Sequence, residues 1–408
     1  MVKSMVAYDL GFTSTQLGLM DTAYLLFYGF GNMLNGNLGD SYPLKKVVSL
    51  GLYLTAMVLA TTAVLGIYHV TVIAFFVVLW GCNGLFQSAV WPGTVALMGN
   101  WFPRLTRGRV MGIWSSNSSV GDVIGAELGG LMLYMGFSWQ AIVITCASII
   151  ALSSTFFALF VEDKPALSLV EEDSLCDKEF SLLIKHRSSF AKKGIRFSEA
   201  LRIPRVLPYA LTYACVKLLT YGMLFWLPFF LTRKVGLPEN VVGVLTATFA
   251  IGGILGGSLS GWLTDHLKGN RSVVLMPMLA CTIPLIFLFE IGDSTTSWLF
   301  FIIIPLTGVM NAGASNLMSS AVPADLAERS EATSTEDAKG TVTGILNGVG
   351  ALGAAAGGVL IGWLQTYSWA YVFMFLIGVS ALATALLVLI MVADCREEKR
   401  TKGKLIDY

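Results

Sequence analysis

Long apolar stretches alternate with short polar gaps along almost the whole chain. A bilayer crossing takes roughly 20 apolar residues, and on that ruler the pattern predicts eleven membrane-spanning helices. They run over Gln16–Leu38, Lys46–Ile67, Thr71–Met98, Val110–Met135, Gln140–Val161, Val206–Thr232, Asn240–Thr264, Ser272–Gly292, Trp298–Ala321, Thr341–Leu364 and Ala370–Ala393. Charge sorts the gaps between them. Lys45 and Lys46, then Arg104, Arg107 and Arg109, the basic residues from Lys164 to Arg205, Lys268 and Arg271, Arg329 and Lys339, and the basic tail from Arg396 occupy every second gap. The other gaps hold only Lys3, Arg233 and Lys234. Basic residues stay on the cytoplasmic side, so the basic gaps and the C-terminus are expected to be cytoplasmic.

Composition agrees with this class. The chain is 55% hydrophobic and 13% charged, far from the balance of a soluble domain. The expected fold class is therefore an all-α membrane protein embedded in the lipid bilayer. A net charge of +1, with its basic residues already explained by topology, offers nothing to a nucleic acid. The six cysteines show no C-x-x-C or metal spacing, so neither a metal nor a cofactor is expected. No Ser/His/Asp, Cys/His or H-E-x-x-H arrangement exists, which leaves an enzymatic reading without support. Oligomeric state is not legible.

An internal repeat organises the chain. Gly36-x-Leu38-x-Asp40 answers Gly261-x-Leu263-x-Asp265. Gly108-x-Val110-x-Gly112, Gly121, Gly125 and Gly130 recur at the same spacing as Gly340-x-Val342-x-Gly344, Gly353, Gly357 and Gly362. Ser138-Trp139 answers Ser368-Trp369. The expected organisation is an N-terminal half over residues 1–161 with five spans and a polar cytoplasmic loop over 162–204 carrying one short surface helix. A C-terminal half over 205–394 with six spans and a cytoplasmic tail over 395–408 complete it. Val206–Thr232 has no partner upstream of Gln16, and an odd span count with a cytoplasmic C-terminus puts Met1 on the far side. Both point to a missing first span.

Within the spans, Lys217 stands out. A cation near mid-membrane costs about 2.5–3.5 kcal/mol, so it needs an anionic ligand or a carboxylate. Asp122 and Glu127, on the fourth expected span, are the candidate charge partners, and either is a candidate proton site. Tyr213, Tyr221 and Trp226 give the Lys217 helix an aromatic, hydrogen-bonding face suited to a cavity wall. Asp21, at the non-cytoplasmic mouth of the first expected span, reads as a gate or cap. The run Gly252-Gly253, Gly256-Gly257 and Gly261 has no preceding strand and reads as close helix packing, not a nucleotide loop.

The paired Gly-x-Leu-x-Asp loops and the repeated halves resemble the major facilitator superfamily. Cys82-Asn83-Gly84-Leu85-Phe86-Gln87, Trp91-Pro92-Gly93, Gly99-Asn100-Trp101-Phe102 and Met111-Gly112-Ile113-Trp114 are similar to the sugar-phosphate exchangers. So are Ala200-Leu201-Arg202-Ile203-Pro204, Trp226-Leu227-Pro228 and Ala324-Asp325-Leu326. These exchangers belong to the organophosphate:phosphate antiporters. The resemblance implies two six-helix halves, here lacking the first helix, which rock about a central site. It implies exchange of inorganic phosphate for a sugar phosphate of the glucose-6-phosphate or glycerol-3-phosphate class. Lys217 would hold the phosphate, with Tyr213, Tyr221, Gln87, Asn117 and Ser118 lining the cavity. Asp40, Asp265 and Arg271 would act in gating. The chain departs from the family where a phosphate-binding Arg of bacterial members falls at Thr220, where a Lys of several relatives falls at Asn32, and where Ser41 replaces the usual basic residue after Asp40. Two rivals remain: a proton-coupled symporter of another small anion, and a truncated, non-transporting remnant. The resemblance implies the endoplasmic reticulum membrane, with the plasma membrane as the alternative.

Overall fold

The computed structural model describes residues 2–102, 104–163, 195–267, 270–293, 296–331 and 338–406, and every regular element among them is helical. In chain order they are α1 (Val2–Leu10), α2 (Ser14–Ser41), α3 (Leu44–Ile67), α4 (Ile73–Gln87), α5 (Val90–Trp101), α6 (Arg104–Trp114), α7 (Asn117–Tyr134) and α8 (Trp139–Phe160). After the central loop come α9 (Phe197–Ala200), α10 (Val206–Phe230), α11 (Glu239–His266), α12 (Arg271–Ile291), α13 (Phe300–Thr307), α14 (Gly313–Ser319), α15 (Ala321–Glu331), α16 (Lys339–Leu364) and α17 (Trp369–Ile406). Most of the central loop and Lys268 lie outside the described residues.

Local chemistry explains where these helices start and stop. Thr13 and Gln16 form a capping box at α2: the Thr13 N–H donates to Gln16 Oε1 at 2.9 Å and the Gln16 N–H donates back to Thr13 Oγ1 at 3.3 Å, satisfying two amides that a helix start leaves unpaired. Ser138 caps α8 by accepting from the Ala141 N–H at 3.4 Å. Gly136 turns the chain between α7 and α8 at φ +81°, a conformation closed to most L-residues.

Nine segments among the described residues are long and apolar enough to cross a membrane, so the chain is a multi-pass integral membrane protein. The two expected spans not among them are α2 and the α6–α7 pair. α2 has the length but carries Gln16, Asp21, Asn32, Asn35, Asn37 and Asp40. The fourth expected span divides into α6 and α7 at Ser115-Ser116, whose hydroxyls donate to the Gly112 carbonyl at 3.1 and 3.3 Å. Such bonds compete with the helical ladder. The third expected span divides into α4 and α5 beside Ser88, because Pro92 has no N–H for the Ser88 carbonyl. Helix α17 runs on to Ile406, well beyond the expected end of the last span.

The chain forms two compact units. The first contains residues 1–103, 124–203 and 323–348; the second contains 104–123, 204–322 and 349–408. Each unit thus includes one stretch from the other half of the sequence. In the first, Val6, Leu10, Phe12, Met20, Phe76 and Trp139 form a core, and Asp9 of α1 accepts from Trp139 Nε1 at 2.7 Å. In the second, Phe230 is fully enclosed by Phe289, Phe300, Trp369 and Phe373, with ring centroids 4.9–6.3 Å apart. The expected helix-packing role of the glycine run holds there: α11 meets the α13–α14 segment at Gly252, Gly253 and Gly256, and α6 at Gly257 and Gly261.

Candidate functional site

Tyr213, Lys217 and Tyr221 recur every fourth residue of α10, which places them on one helix face. Lys217 is buried, and its Nζ lies 5.4 Å from the Tyr213 ring centroid and 5.9 Å from that of Tyr221. Both tyrosines therefore turn their electron-rich faces toward the ammonium. Gly350 of α16 makes room for this arrangement, since a Cβ there would stand 3.0 Å from Lys217 Cδ and 3.0 Å from Tyr213 Cδ1. Thr220, where a bacterial relative would carry Arg, accepts from Asn311 Nδ2 at 3.2 Å. Asn311 Oδ1 is buried and has no hydrogen-bond partner. Asn311 was not legible as a site residue, because an Asn in an apolar run has no distinctive spacing.

Asn117 and Ser118 lie in the same unit but are exposed, and their side chains donate to the carbonyls of Trp114 at 2.7 Å and Ser115 at 3.2 Å in the preceding turn. Gln87 belongs to the first unit, where it accepts from the Tyr24 hydroxyl. Glu127 is exposed and lies in the first unit, apart from the unit that holds Lys217. The Asp122 side chain falls outside the described residues. Asp21 is half-buried in the second turn of α2.

The two repeated aspartates sit at matching places. Asp40, almost wholly buried, accepts from the backbone N–H groups of Gly340 at 2.7 Å and Thr341 at 2.6 Å, both in the first turn of α16. A helix N-terminus, with unpaired amides and a positive dipole end, is a natural seat for a carboxylate. Asp265 accepts from the Arg109 N–H of α6 at 2.6 Å and pairs with the buried Arg271 guanidinium at 3.4 Å. Close backbone approach allows both contacts: a Cβ on Gly36 would lie 3.1 Å from Gly344 Cα, and one on Gly112 would lie 3.1 Å from Gly261 Cα. Each clasp joins the helix that ends in one half's Gly-x-Leu-x-Asp to the helix that carries the other half's Gly-x-Val-x-Gly, within a single unit. The main-chain donors at Arg109, Gly340 and Thr341 were missed in the sequence, although the repeat aligns Gly108 with Gly340.

Residues 1–335 and 231–405 match the Major Facilitator Superfamily in two overlapping stretches. Sugar phosphate exchanger 3 of Mus musculus is 33% identical over 382 residues, which cover 88% of this chain and 77% of that protein. Putative glycerol-3-phosphate transporter 1 of Arabidopsis thaliana is 31% identical over 399 residues, covering 94% of this chain and 76% of that protein. The outward-facing crystal structure of a bacterial homologue of the iron transporter ferroportin superposes with a TM-score of 0.67 at 15% identity, over 94% of this chain and 92% of that one; it supports the fold alone. The chain belongs to the major facilitator superfamily, whose members are transporters and not enzymes.

Proposed function

We propose that this chain exchanges inorganic phosphate for a sugar phosphate, of the glucose-6-phosphate or glycerol-3-phosphate class, by alternating access of one site to the two faces of a membrane. The observation that carries the reading is Lys217, a buried cation framed by two tyrosines on a membrane-spanning helix. The names of the relatives, sugar phosphate exchanger and glycerol-3-phosphate transporter, supply the substrate class. A phosphate dianion leaving water needs a fixed cation and hydrogen-bond donors. Lys217 gives the charge, and the hydroxyls of Tyr213 and Tyr221 are donors on the same face. A carrier whose buried cation is compensated by substrate resists reorientation when empty, which favours exchange over uniport. The Asp40 and Asp265 clasps hold one arrangement of the helices and must release when the site changes sides. The proposed orientation puts the C-terminus in the cytoplasm, and the proposed location is the endoplasmic reticulum membrane.

The test is counterflow into proteoliposomes preloaded with phosphate. Lys217→Ala abolishes uptake of labelled phosphate and of labelled glucose-6-phosphate while the protein still inserts and purifies as a monodisperse species. Retained exchange refutes the site. A second reading, a chain that binds without transporting, rests on the glycine face of α7: among the described residues, Gly121, Gly125, Gly129 and Gly130 have nothing within 4 Å of where a Cβ would stand. Phosphate binding by the purified chain without any counterflow would select it.

A further inference from the structure

The cation accounts for the phosphate and leaves the organic part of the ester unread. In the first unit, α2 and α4 pack closely enough that a Cβ on Gly84 would lie 3.1 Å from the Tyr28 backbone nitrogen. A line of neutral polar side chains follows their contact. Tyr24, Tyr28 and Asn32 succeed one another at every fourth residue of α2, and Asn83 and Gln87 are one turn apart on α4. Neither helix, nor the continuation of α4 through α5, contains Lys or Arg. The line therefore has donors and acceptors but no fixed positive charge for a dianion.

Some of these groups satisfy one another. Tyr24 donates to Gln87, and Asn32 Nδ2 donates to the Tyr28 carbonyl at 2.7 Å. Two do not: Asn32 Oδ1 and Asn83 Oδ1 are buried and accept from nothing. Orphaned acceptors are rare in native interiors, and in a membrane no solvent compensates them. Their neighbours along the line, Tyr24, Tyr28 and Gln87, keep part of their surface accessible. The Tyr24 and Tyr28 rings lie nearly parallel with centroids 5.8 Å apart, a flat wall beside the polar edge. Amide oxygens awaiting O–H donors beside an aromatic wall suit a polyhydroxylated carbon skeleton.

We propose that Tyr24, Asn32, Asn83 and Gln87 form a hydroxyl-reading subsite for the organic part of the transported phosphate ester. The proposal rests on the reading of the chain as a sugar-phosphate carrier.

The test compares three counterflow reactions in phosphate-loaded proteoliposomes: entry of phosphate, of glycerol-3-phosphate and of glucose-6-phosphate. Asn83→Leu and Asn32→Leu keep the branched four-atom side chain and remove the amide. Each is expected to leave phosphate self-exchange within about twofold while raising KM for glucose-6-phosphate by about tenfold or more, the scale set by a hydroxyl that loses its partner. Equal loss of all three reactions would mean that these residues only hold the helices together, and unchanged selectivity would mean that they do not face substrate. Either result overturns the subsite. Thermal stabilisation of the purified protein separates this from failure of the wider reading. No stabilisation of the unmodified chain by inorganic phosphate removes the carrier reading and the subsite with it. Stabilisation by phosphate with no additional, Asn83-dependent effect of glucose-6-phosphate removes the subsite alone.

Discussion

Helices α7 and α16 carry the same ladder of glycines, and among the described residues only one ladder is covered. On α16, Gly353, Gly357 and Gly362 are met by Ala214, Leu218 and Trp226 of α10. On α7 the matching Gly121, Gly125 and Gly130 face open space. Helices in a bilayer associate through van der Waals packing, and small residues let backbones come close. A glycine ladder gains nothing against lipid, which any larger side chain would meet equally well. The α7 face is therefore shaped to receive a helix as α16 receives α10, and the exposure of Asn117 and Ser118 belongs to the same uncovered side.

The strongest way to break this comparison is to fill the two ladders equally. Gly357→Leu places a side chain in the space of Leu218 and is expected to cost about 3 kcal/mol, read as loss of monodisperse protein and a lowered Tm in detergent. Gly125→Leu is expected to stay within about 0.5 kcal/mol, as for a surface change. Equal damage from both would show that the α7 face is covered in the folded protein.

The clasps extend the comparison, because they too are counterparts with different surroundings. Asp40→Ala leaves two amides of the α16 N-terminus without their carboxylate, an expected loss of about 2 kcal/mol in unfolding free energy. Asp265→Asn leaves the buried Arg271 guanidinium without its carboxylate, yet the pair Asp265→Asn with Arg271→Met should recover most of that loss. A double variant as unstable as the sum of its singles would mean that Arg271 and Asp265 do not act together.

The smallest expected effect sharpens the site. Gly350→Ala pushes against Lys217 and Tyr213, so it should lower stability by about 1 kcal/mol and raise the KM for phosphate in counterflow. Ser118, which the repeat aligns with Gly350, should accept Ala with no change in Tm and none in exchange.

Much of the fold was legible because bilayer crossings demand long apolar runs, and most expected spans agree with observed helices to within a few residues. The breaks beside Ser88 and at Ser115-Ser116 were not, since they depend on single hydroxyl-to-carbonyl bonds and on one proline. Asp40, Asp265 and Lys217 announced themselves as charges in or beside apolar sequence. The donors they meet did not: backbone amides such as those of Gly340, Thr341 and Arg109 exist in every sequence, and only folding brings them to a carboxylate. Asn83 and Asn311 escaped for a related reason. What marks them is a buried oxygen with no partner, which has no counterpart in a string of letters.

The Asp40 clasp also bears on how such a sequence can drift. Its donating side is main chain, so the contact itself does not depend on the Thr341 side chain, although the full burial of Thr341 admits only small residues there. Gly340 is less free, because a Cβ there would stand 2.9 Å from Asp40 Oδ1. Variation is thus lopsided across one bond, with the acid held in place and Thr341 required by it only for a backbone N–H. Covariation between the contacting positions would consequently be faint, and a search for paired changes would pass over one of the tightest contacts in the molecule.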